Sequence, residues 1–260
     1  MASELNVGKV VASTSADDAK LTLSTYSALA NYSLIQFNKS DTDTVNAAGV
    51  TDSADVLGRI IFAGYGSSAA PGNPSVGADI KVTQTAGAGA NHVPSKMVFS
   101  TSDSDSTDVR LTIDSAGAVT MPSTPAFSAM PSTNQNNLAA DTYTDIVLAT
   151  EIFDQGANFA SNTFTAPVAG RYQFSALIAM NYIDSAANFY QIRIVTSNRT
   201  YSYTFDPDFG QDAIYWEGGP SILADMDASD TAKVEFYQSG GTAQTDIVAT
   251  RTVFTGFLAC

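Results

Sequence analysis

The sequence predicts an all-β protein, and three observations support this fold class. Helix signals are almost absent: the best candidate, residues 16–30, contains the β-branched Thr22 and Thr25 and lacks a capping box, so we interpret it as strand and turn. Short apolar or alternating runs, which are typical of strands, recur between clusters of Gly, Pro, Ser and Asn. No repeat of fixed period is present, so these strands indicate a sandwich or a barrel rather than a solenoid.

Composition narrows the class of protein. Charged residues make up 15% of the chain, against about 25% in ordinary globular domains, so we expect a largely uncharged polar surface. The net charge of -14, without any basic run, argues against binding to nucleic acid or to an anionic membrane. The only cysteine, Cys260, is the last residue and is interpreted as an inert thiol, with an interchain disulfide as the less favoured alternative. Neither a membrane-spanning helix nor a signal peptide is expected, so membrane insertion is not predicted.

The first half of the chain contains three predicted strands. These are residues 59–63, 96–100 and 109–113. The last of them alternates, which places Val109, Leu111 and Ile113 on one face, and turn residues follow it. The stretches 67–74 and 85–91, rich in Gly, Ala, Pro and Asn, are predicted loops.

A cluster of prolines separates the two halves. Pro122, Pro125 and Pro131 fall within ten residues and are not expected in a central strand, because proline cannot donate to the hydrogen-bond ladder. We therefore predict an extended connector over residues 122–133.

Longer strands are predicted after this connector. They are residues 171–180, 189–196, 232–237 and 253–258. Aromatic and β-branched residues dominate them, as pleated packing prefers. In the first strand, Tyr172 and Phe174 fall on one face and provide the apolar area of a sandwich core.

Residues 164–176 read FTAPVAGRYQFSA, which resembles the central motif of the complement one-q and tumour necrosis factor-like jelly-roll family. The resemblance extends over residues 134–260 and implies a jelly-roll head that forms a homotrimer around a threefold axis. The residues of the family motif are Phe164, Pro167, Gly170, Tyr172, Phe174, Phe254 and Gly256.

The first half resembles the shafts of bacteriophage tail fibres. Residues 55–65 (DVLGRIIFAGY), 94–101 (PSKMVFST) and 110–117 (RLTIDSAG) carry this resemblance in the order found in such shafts. It implies an elongated, intertwined β-shaft over residues 30–121. Residues 3–10 resemble the openings of marine-phage structural proteins, so residues 1–29 are predicted to attach to other virion proteins.

No catalytic constellation is evident, and we predict that the chain is not an enzyme. The single histidine, His92, lies in a predicted loop without an orienting carboxylate, so a Ser-His-Asp site is not expected. A pair of carboxylates, as a glycosidase uses, stays open as an alternative because 26 acidic residues contain many such pairs.

Two acidic stretches are candidate metal sites, but no cofactor is predicted. Counted from Asp103, the sixth and twelfth positions of a calcium loop would be Asp108 and Asp114 instead of Gly and Glu, so we interpret this stretch as a solvated turn. A second acidic turn contains Asp225, Asp227 and Asp230. Some members of the complement one-q-like family bind calcium near the apex of the head, so the resemblance leaves calcium open there.

An aromatic and acidic cluster before the last strands is the predicted binding surface. Tyr215 and Trp216, with Asp208 and Asp212 nearby, suit recognition of a sugar or a protein. Three further aromatic residues of this region are expected in the core or at the trimer interface instead: Tyr201, Tyr203 and Phe205.

Together these features predict a homotrimeric structural protein on the surface of a bacteriophage particle, with a jelly-roll head that binds a host glycan or protein. A trimeric capsid decoration or head fibre is the main alternative. A polysaccharide depolymerase and a secreted complement-like lectin are further alternatives, and the lectin lacks support because no collagen repeat is present.

Overall fold

The computed structural model describes residues 21–24, 32–42, 48–66, 74–103 and 106–260. These residues form strands and turns, with one short 3₁₀ turn at Ala249–Arg251. Residues 21–24 have no regular secondary structure, and the rest of the predicted attachment segment 1–29 lies outside the described residues. Within the described residues, no helix has the length and apolar character needed to cross a membrane. The predicted all-β class is confirmed.

The first five strands form one sheet in the order β1-β2-β3-β4-β5. They are β1 (Val56–Gly64), β2 (Ser75–Gln84), β3 (Ser95–Ser102), β4 (Thr107–Ile113) and β5 (Val119–Thr120). The pairs β1–β2 and β4–β5 are antiparallel. All three strands predicted in the first half are confirmed, as parts of β1, β3 and β4. We call this sheet the N-terminal sheet.

Strand β1 carries apolar side chains on both of its faces. Ile60, Ile61 and Phe62 are consecutive, so they alternate between the faces, and they are 44%, 49% and 57% exposed. The neighbouring β2 contains the buried Asp79, whose carboxylate pairs with Arg59 of β1. The sheet therefore has a specific internal ion pair but leaves large apolar side chains uncovered.

Two antiparallel sheets form the C-terminal head. Their strands are β6 (Ala126–Met130), β7 (Gln135–Leu138), β8 (Thr144–Asp145), β9 (Thr150–Gln155), β10 (Phe159–Ala160), β11 (Thr163–Thr165), β12 (Gly170–Ile183), β13 (Ala187–Thr196), β14 (Thr200–Phe205), β15 (Ala213–Gly218), β16 (Ser221–Met226), β17 (Thr231–Gly240), β18 (Thr245–Ile247) and β19 (Val253–Leu258). The four strands predicted after the connector are confirmed in β12, β13, β17 and β19.

The strand order of the head is that of a jelly roll. One sheet has the order β7-β18-β12-β19-β6-β9, with β15 and β16 also paired to β12, and the other has the order β10-β11-β17-β13-β14, with β8 paired to β17. Neighbours are therefore mostly distant in sequence: the first strand of the head, β6, lies beside the last, β19. Two antiparallel sheets connected in this way form a jelly roll.

The core between the sheets is mainly aromatic. Phe127 stacks on Phe159 and Phe164, with ring centroids 4.8 and 5.0 Å away, and contacts Phe254 edge-on at 5.0 Å. The family-motif residues Phe164, Tyr172, Phe174 and Phe254 are fully buried in this core. Tyr172 also donates a hydrogen bond from its hydroxyl to the Val168 carbonyl, 2.9 Å away.

The remaining residues of the family motif serve the turn and the close packing. Pro167 is exposed in the turn between β11 and β12. A Cβ on Gly170 would lie 2.6 Å from Leu258 Cδ1, and a Cβ on Gly256 would lie 2.5 Å from Cδ1 of Phe174. Both positions therefore require glycine, because neighbouring backbone and side-chain atoms leave no room for a larger residue.

The prediction that residues 122–133 form an extended connector is corrected by the structure, because a strand of the jelly roll lies within these residues. Residues 126–130 form β6, which lies between β19 and β9. The prolines permit this because Pro122 and Pro125 precede the strand and Pro131 follows it, so none has to donate to the ladder.

The chain divides into two compact units, and the boundary between them differs from the predicted one. One unit is Met1–Met97 with Asp114–Ala116, and the other is Val98–Ile113 with Gly117–Cys260. Contacts inside the second unit explain the difference. Arg110 Nη1 donates to Ser123 Oγ over 3.1 Å, and Gln155 Nε2 donates to the Met121 carbonyl over 3.1 Å.

Candidate functional site

Three stacked aromatic rings mark one end of the head. Trp216, on β15, lies between Phe205 and Phe209, with ring centroids 4.9 and 5.2 Å away and interplanar angles of 24° and 25°. The indole N–H of Trp216 is shielded from solvent, and no described residue accepts a hydrogen bond from it. The indole is therefore held by ring stacking rather than by hydrogen bonding.

The next aromatic residue, Tyr215, faces solvent. Its side chain is 64% exposed. The guanidinium of Arg251 lies over the ring, 5.4 Å from its centroid, and Arg251 Nε is 3.0 Å from Glu217 Oε1. Because Glu217 holds Arg251, the guanidinium restricts the Tyr215 ring without presenting an unpaired positive charge.

Asp212 is held in place by the loop between β12 and β13. Both the backbone N–H and the hydroxyl of Ser185 donate to Asp212 Oδ1, over 2.9 and 2.8 Å. No described residue donates to the second carboxylate oxygen, Oδ2. Asp212 therefore has one oxygen fixed by the protein and one available to a ligand.

The Ser185 loop is itself anchored by the buried Asp184. The Asp184 carboxylate accepts hydrogen bonds from the backbone N–H groups of Ala186, Ala243 and Thr242, and from the Thr242 hydroxyl. Burial opposes ionisation, but these hydrogen bonds outweigh it and lower the pKa of Asp184. The loops β12–β13 and β17–β18 are thereby joined beside Asp212.

The anchor continues into the core through Tyr190. Its hydroxyl oxygen accepts hydrogen bonds from the backbone N–H of Asp184, 2.8 Å away, and from Thr245 Oγ1, 3.1 Å away. Burial raises the pKa of Tyr190, so this hydroxyl stays neutral. A continuous series of hydrogen bonds therefore runs from the core to Asp212.

Three of the four residues predicted as a binding surface meet in one place. Tyr215, Trp216 and Asp212, with Phe209, line a depression of about 460 Å³. Asp208 is exposed in the same loop but does not line it, and its backbone N–H bonds to Asp206 Oδ1. The other aromatic residues of this region pack against the core: Tyr201, Tyr203 and Phe205.

A second depression of about 340 Å³ adjoins the first, and both include Asp212 and Ala213. Its other lining residues are Asn137, Tyr182, Ile214, Ala243 and Gln244. The sequence did not indicate Tyr182 and Gln244, because they belong to the end of β12 and to the β17–β18 loop, which only the strand order brings close to Asp212. The positive φ of Tyr182, 61°, could not be identified from sequence either.

The carboxylates of the two acidic turns form local hydrogen bonds and ion pairs. Asp230 Oδ2 accepts from the Asp227 N–H over 2.8 Å and from Asn198 Nδ2 over 2.7 Å. Arg110 lies 3.6 Å from Asp103 and 3.5 Å from Asp108. Among the described residues, no three His, Cys, Asp or Glu side chains converge as metal ligands would. His92 is exposed in a loop, where its carbonyl accepts from the Gly89 N–H over 2.9 Å.

The outer face of the β17–β13 sheet is charged. Glu235, which is 8% exposed, pairs with Arg193 and Lys233, and Lys233 Nζ also lies 2.8 Å from Asp145 Oδ1. The Arg193 guanidinium covers the Tyr143 ring, 3.4 Å from its centroid. Burial raises the pKa of Glu235, but the bonds from Arg193 and Lys233 outweigh it, so the pKa is lowered overall.

This lowered pKa predicts acid lability of the head. A carboxylate with a depressed folded pKa stabilises the fold above its unfolded pKa of about 4.3, and that contribution is lost as the pH falls through the folded value. We expect the free energy of unfolding, measured in urea, to fall between pH 5 and pH 3, and the fall to be smaller in Glu235→Gln. The exposed Glu151→Gln is the control and should follow the wild type. Identical pH profiles for Glu235→Gln and the wild type would contradict the prediction.

The chain matches no protein-family model. It also matches no curated protein. Among solved structures, it is similar to the globular domain of zebrafish complement 1qA protein, at 16% identity over 52% of this chain and 98% of that chain, with a TM-score of 0.38. It is similar to murine APRIL at 9% identity over 52% and 98% of the two chains, with a TM-score of 0.39. It is similar to PRD1 vertex protein P5 at 16% identity over 52% and 96%, with a TM-score of 0.37. The strand order given above, rather than these similarities, defines the head as a jelly roll.

Proposed function

We propose that this chain is a structural protein of a bacteriophage particle and not an enzyme. In this proposal it forms a homotrimeric fibre on the virion surface. The N-terminal segment, residues 1–29, attaches to other virion proteins, the N-terminal sheet contributes to an intertwined shaft, and the jelly-roll head attaches to the host surface.

The observation that carries the proposal is the uncovered apolar surface of β1. Ile60, Ile61 and Phe62 project to both faces of the strand and are exposed in the single chain. A strand that is apolar on both faces requires cover on both sides, and further copies of the same chain provide it by symmetry. The resemblance of residues 55–65 to phage fibre shafts supports the same reading.

The two outer faces of the head differ in a way that favours a trimer. On the β12 sheet, Leu177, Leu223 and Phe257 project outward and are exposed, and the register places Leu223 and Phe257 on either side of Gln173. The opposite sheet carries the charged network of Arg193, Glu235 and Lys233. Charged residues are depleted at the centres of interfaces, so we assign the part of this face around Gln173 to contacts between copies. Tyr215 pairs with Asn181, towards the other end of β12, and lies outside the assigned contact.

Measuring the mass of the full chain in solution tests the assembly. We expect a trimer by light scattering, and Leu223→Asp should shift it towards monomer because it places a charge in the assigned interface. Ser202→Asp, on the edge strand of the other sheet, should stay trimeric. A monomeric wild type, or a Leu223→Asp variant as trimeric as the control, would overturn this part of the proposal.

Copy number and position on purified virions test the attachment role. A gold-labelled antibody against residues 134–260 should mark a few sites at the tail, and the isolated full chain should compete with virions for host cells. Labelling at high copy over the capsid would favour the alternative, a trimeric capsid decoration or head fibre, in which the same head stabilises the shell.

A further inference from the structure

The two adjoining depressions at the end of the head form one open surface around Asp212. Asp212 and Ala213 line both of them, and their volumes are about 460 and 340 Å³. Loops from β12–β13, β14–β15 and β17–β18 converge here. A surface of this extent suits consecutive units of a linear ligand better than one small molecule.

Aromatic rings provide the apolar part of this surface. Phe209 is the outer ring of the stack and is 42% exposed, Trp216 stacks against it, and Tyr215 lines the same depression. The C–H face of a pyranose ring is apolar and packs on such rings, while its hydroxyl groups point outward to polar partners. The nearly parallel stack forms a platform for a flat ring, not a cage around a cation.

Polar groups surround the aromatic platform. Asp212 Oδ2 can accept hydrogen bonds from ligand hydroxyl groups, and such charge-assisted bonds are the stronger kind. Gln211, Gln244 and Asn137 line the two depressions, and side-chain amides can both donate and accept. The combination of one fixed carboxylate and several amides fits a ligand rich in hydroxyl groups.

The charge of the surface selects against acidic ligands. No lysine or arginine is among the residues that line either depression, and Asp212 carries a negative charge. A carboxylated or sulfated sugar would meet repulsion without a compensating cation. Arg251, which lies over the Tyr215 ring, is paired with Glu217.

The surface is also organised before any ligand binds. Ser185 fixes Asp212, Asp184 fixes the Ser185 loop, and Tyr190 connects Asp184 to the core. Fixing these groups in advance lowers the entropy lost on binding.

From these observations we propose that the surface formed by Phe209, Tyr215, Trp216 and Asp212, with the adjoining depression at Gln244, binds uncharged sugar units of a host-surface glycan. This deepens the proposed attachment function and rests on it. The ligand spans at least two sugar units, one in each depression.

An array of uncharged and acidic oligosaccharides, probed with the full chain, tests the specificity. We expect uncharged oligosaccharides to bind, disaccharides and longer chains to bind more tightly than monosaccharides, and sialylated or uronic chains to fail. Tyr215→Ala and Asp212→Asn should each weaken binding about tenfold, because each removes one central contact. Tyr65→Ala, which removes an equally exposed tyrosine from the other compact unit, is the matched control.

The outcomes overturn the inference in distinct ways. Asp212→Asn keeps an oxygen for Ser185, so a folded variant with unchanged binding would remove Asp212 from the site. Binding only to acidic chains, no binding to any uncharged chain, or equal affinity of Tyr215→Ala and Tyr65→Ala would each reject it. Thermal unfolding and solution mass of each variant must match the wild type, which separates loss of contact from loss of fold.

Binding to host cells separates this inference from the attachment function itself. If the wild type binds cells, periodate treatment of the cells should abolish binding and protease treatment should not. The reverse result, with Tyr215→Ala binding as the wild type does, would identify a protein receptor and reject the sugar site while attachment stands. A wild type that binds the array but no host cell would reject attachment alone.

Discussion

Replacing Asp184 with alanine is expected to lower the free energy of unfolding of the head by about 2–4 kcal/mol. The substitution leaves three backbone N–H groups and the Thr242 hydroxyl without their acceptor. Each buried donor without a partner costs about 1–3 kcal/mol, and water entering the loop recovers part of this. Because the chain has one tryptophan, Trp216, its fluorescence during urea denaturation reports unfolding of the head directly.

Two further variants make this expectation specific. Asp184→Asn keeps one acceptor oxygen, so its loss should be intermediate. Asp208→Ala removes an exposed carboxylate from the nearby β14–β15 loop and should change the free energy by less than about 0.5 kcal/mol. An Asp184→Ala variant as stable as Asp208→Ala would show that the loops do not depend on this carboxylate.

Replacing Phe127 with alanine is expected to cost about 3–5 kcal/mol of head stability. Phe127 is 1% exposed and contacts the rings of Phe159, Phe164 and Phe254, so its removal opens a cavity among side chains held by two sheets. In a mobile connector the same substitution would have almost no effect. Urea denaturation therefore distinguishes a connector from a core strand.

The control for Phe127 lies on the paired strand. Phe257 of β19 is half-exposed on the outer face, and Phe257→Ala should cost far less at concentrations where the assembly state is unchanged. If Phe127→Ala and Phe257→Ala are equally stable, the position of β6 in the sheet is wrong.

Local alternation was enough to predict most of the long strands. Tyr172 and Phe174 share a face because side chains of a strand alternate, whatever strand lies beside them. The prediction of a connector over residues 122–133 was wrong because it extended the effect of three prolines to the whole segment. Proline disrupts a ladder only at its own position, and the run between Pro125 and Pro131 was long enough to form β6.

The candidate site was predicted only in part. Tyr215, Trp216 and Asp212 lie within five consecutive residues, so a local cluster of aromatic and acidic residues was sufficient to find them. Asp208 belonged to the same cluster but does not line the depression. Ser185, Asp184 and Gln244 belong to two other loops, and nothing in their local sequence connects them to Asp212.

The sequence by itself determined that the chain is all-β, where most of its long strands lie and which side chains face the core of the head, since these follow from the two-residue repeat of a strand. Only the tertiary structure decided that β6 pairs with β19 and that three loops meet around Asp212. Strand pairing joins segments more than a hundred residues apart, and its free energy depends on the whole sandwich rather than on either segment alone.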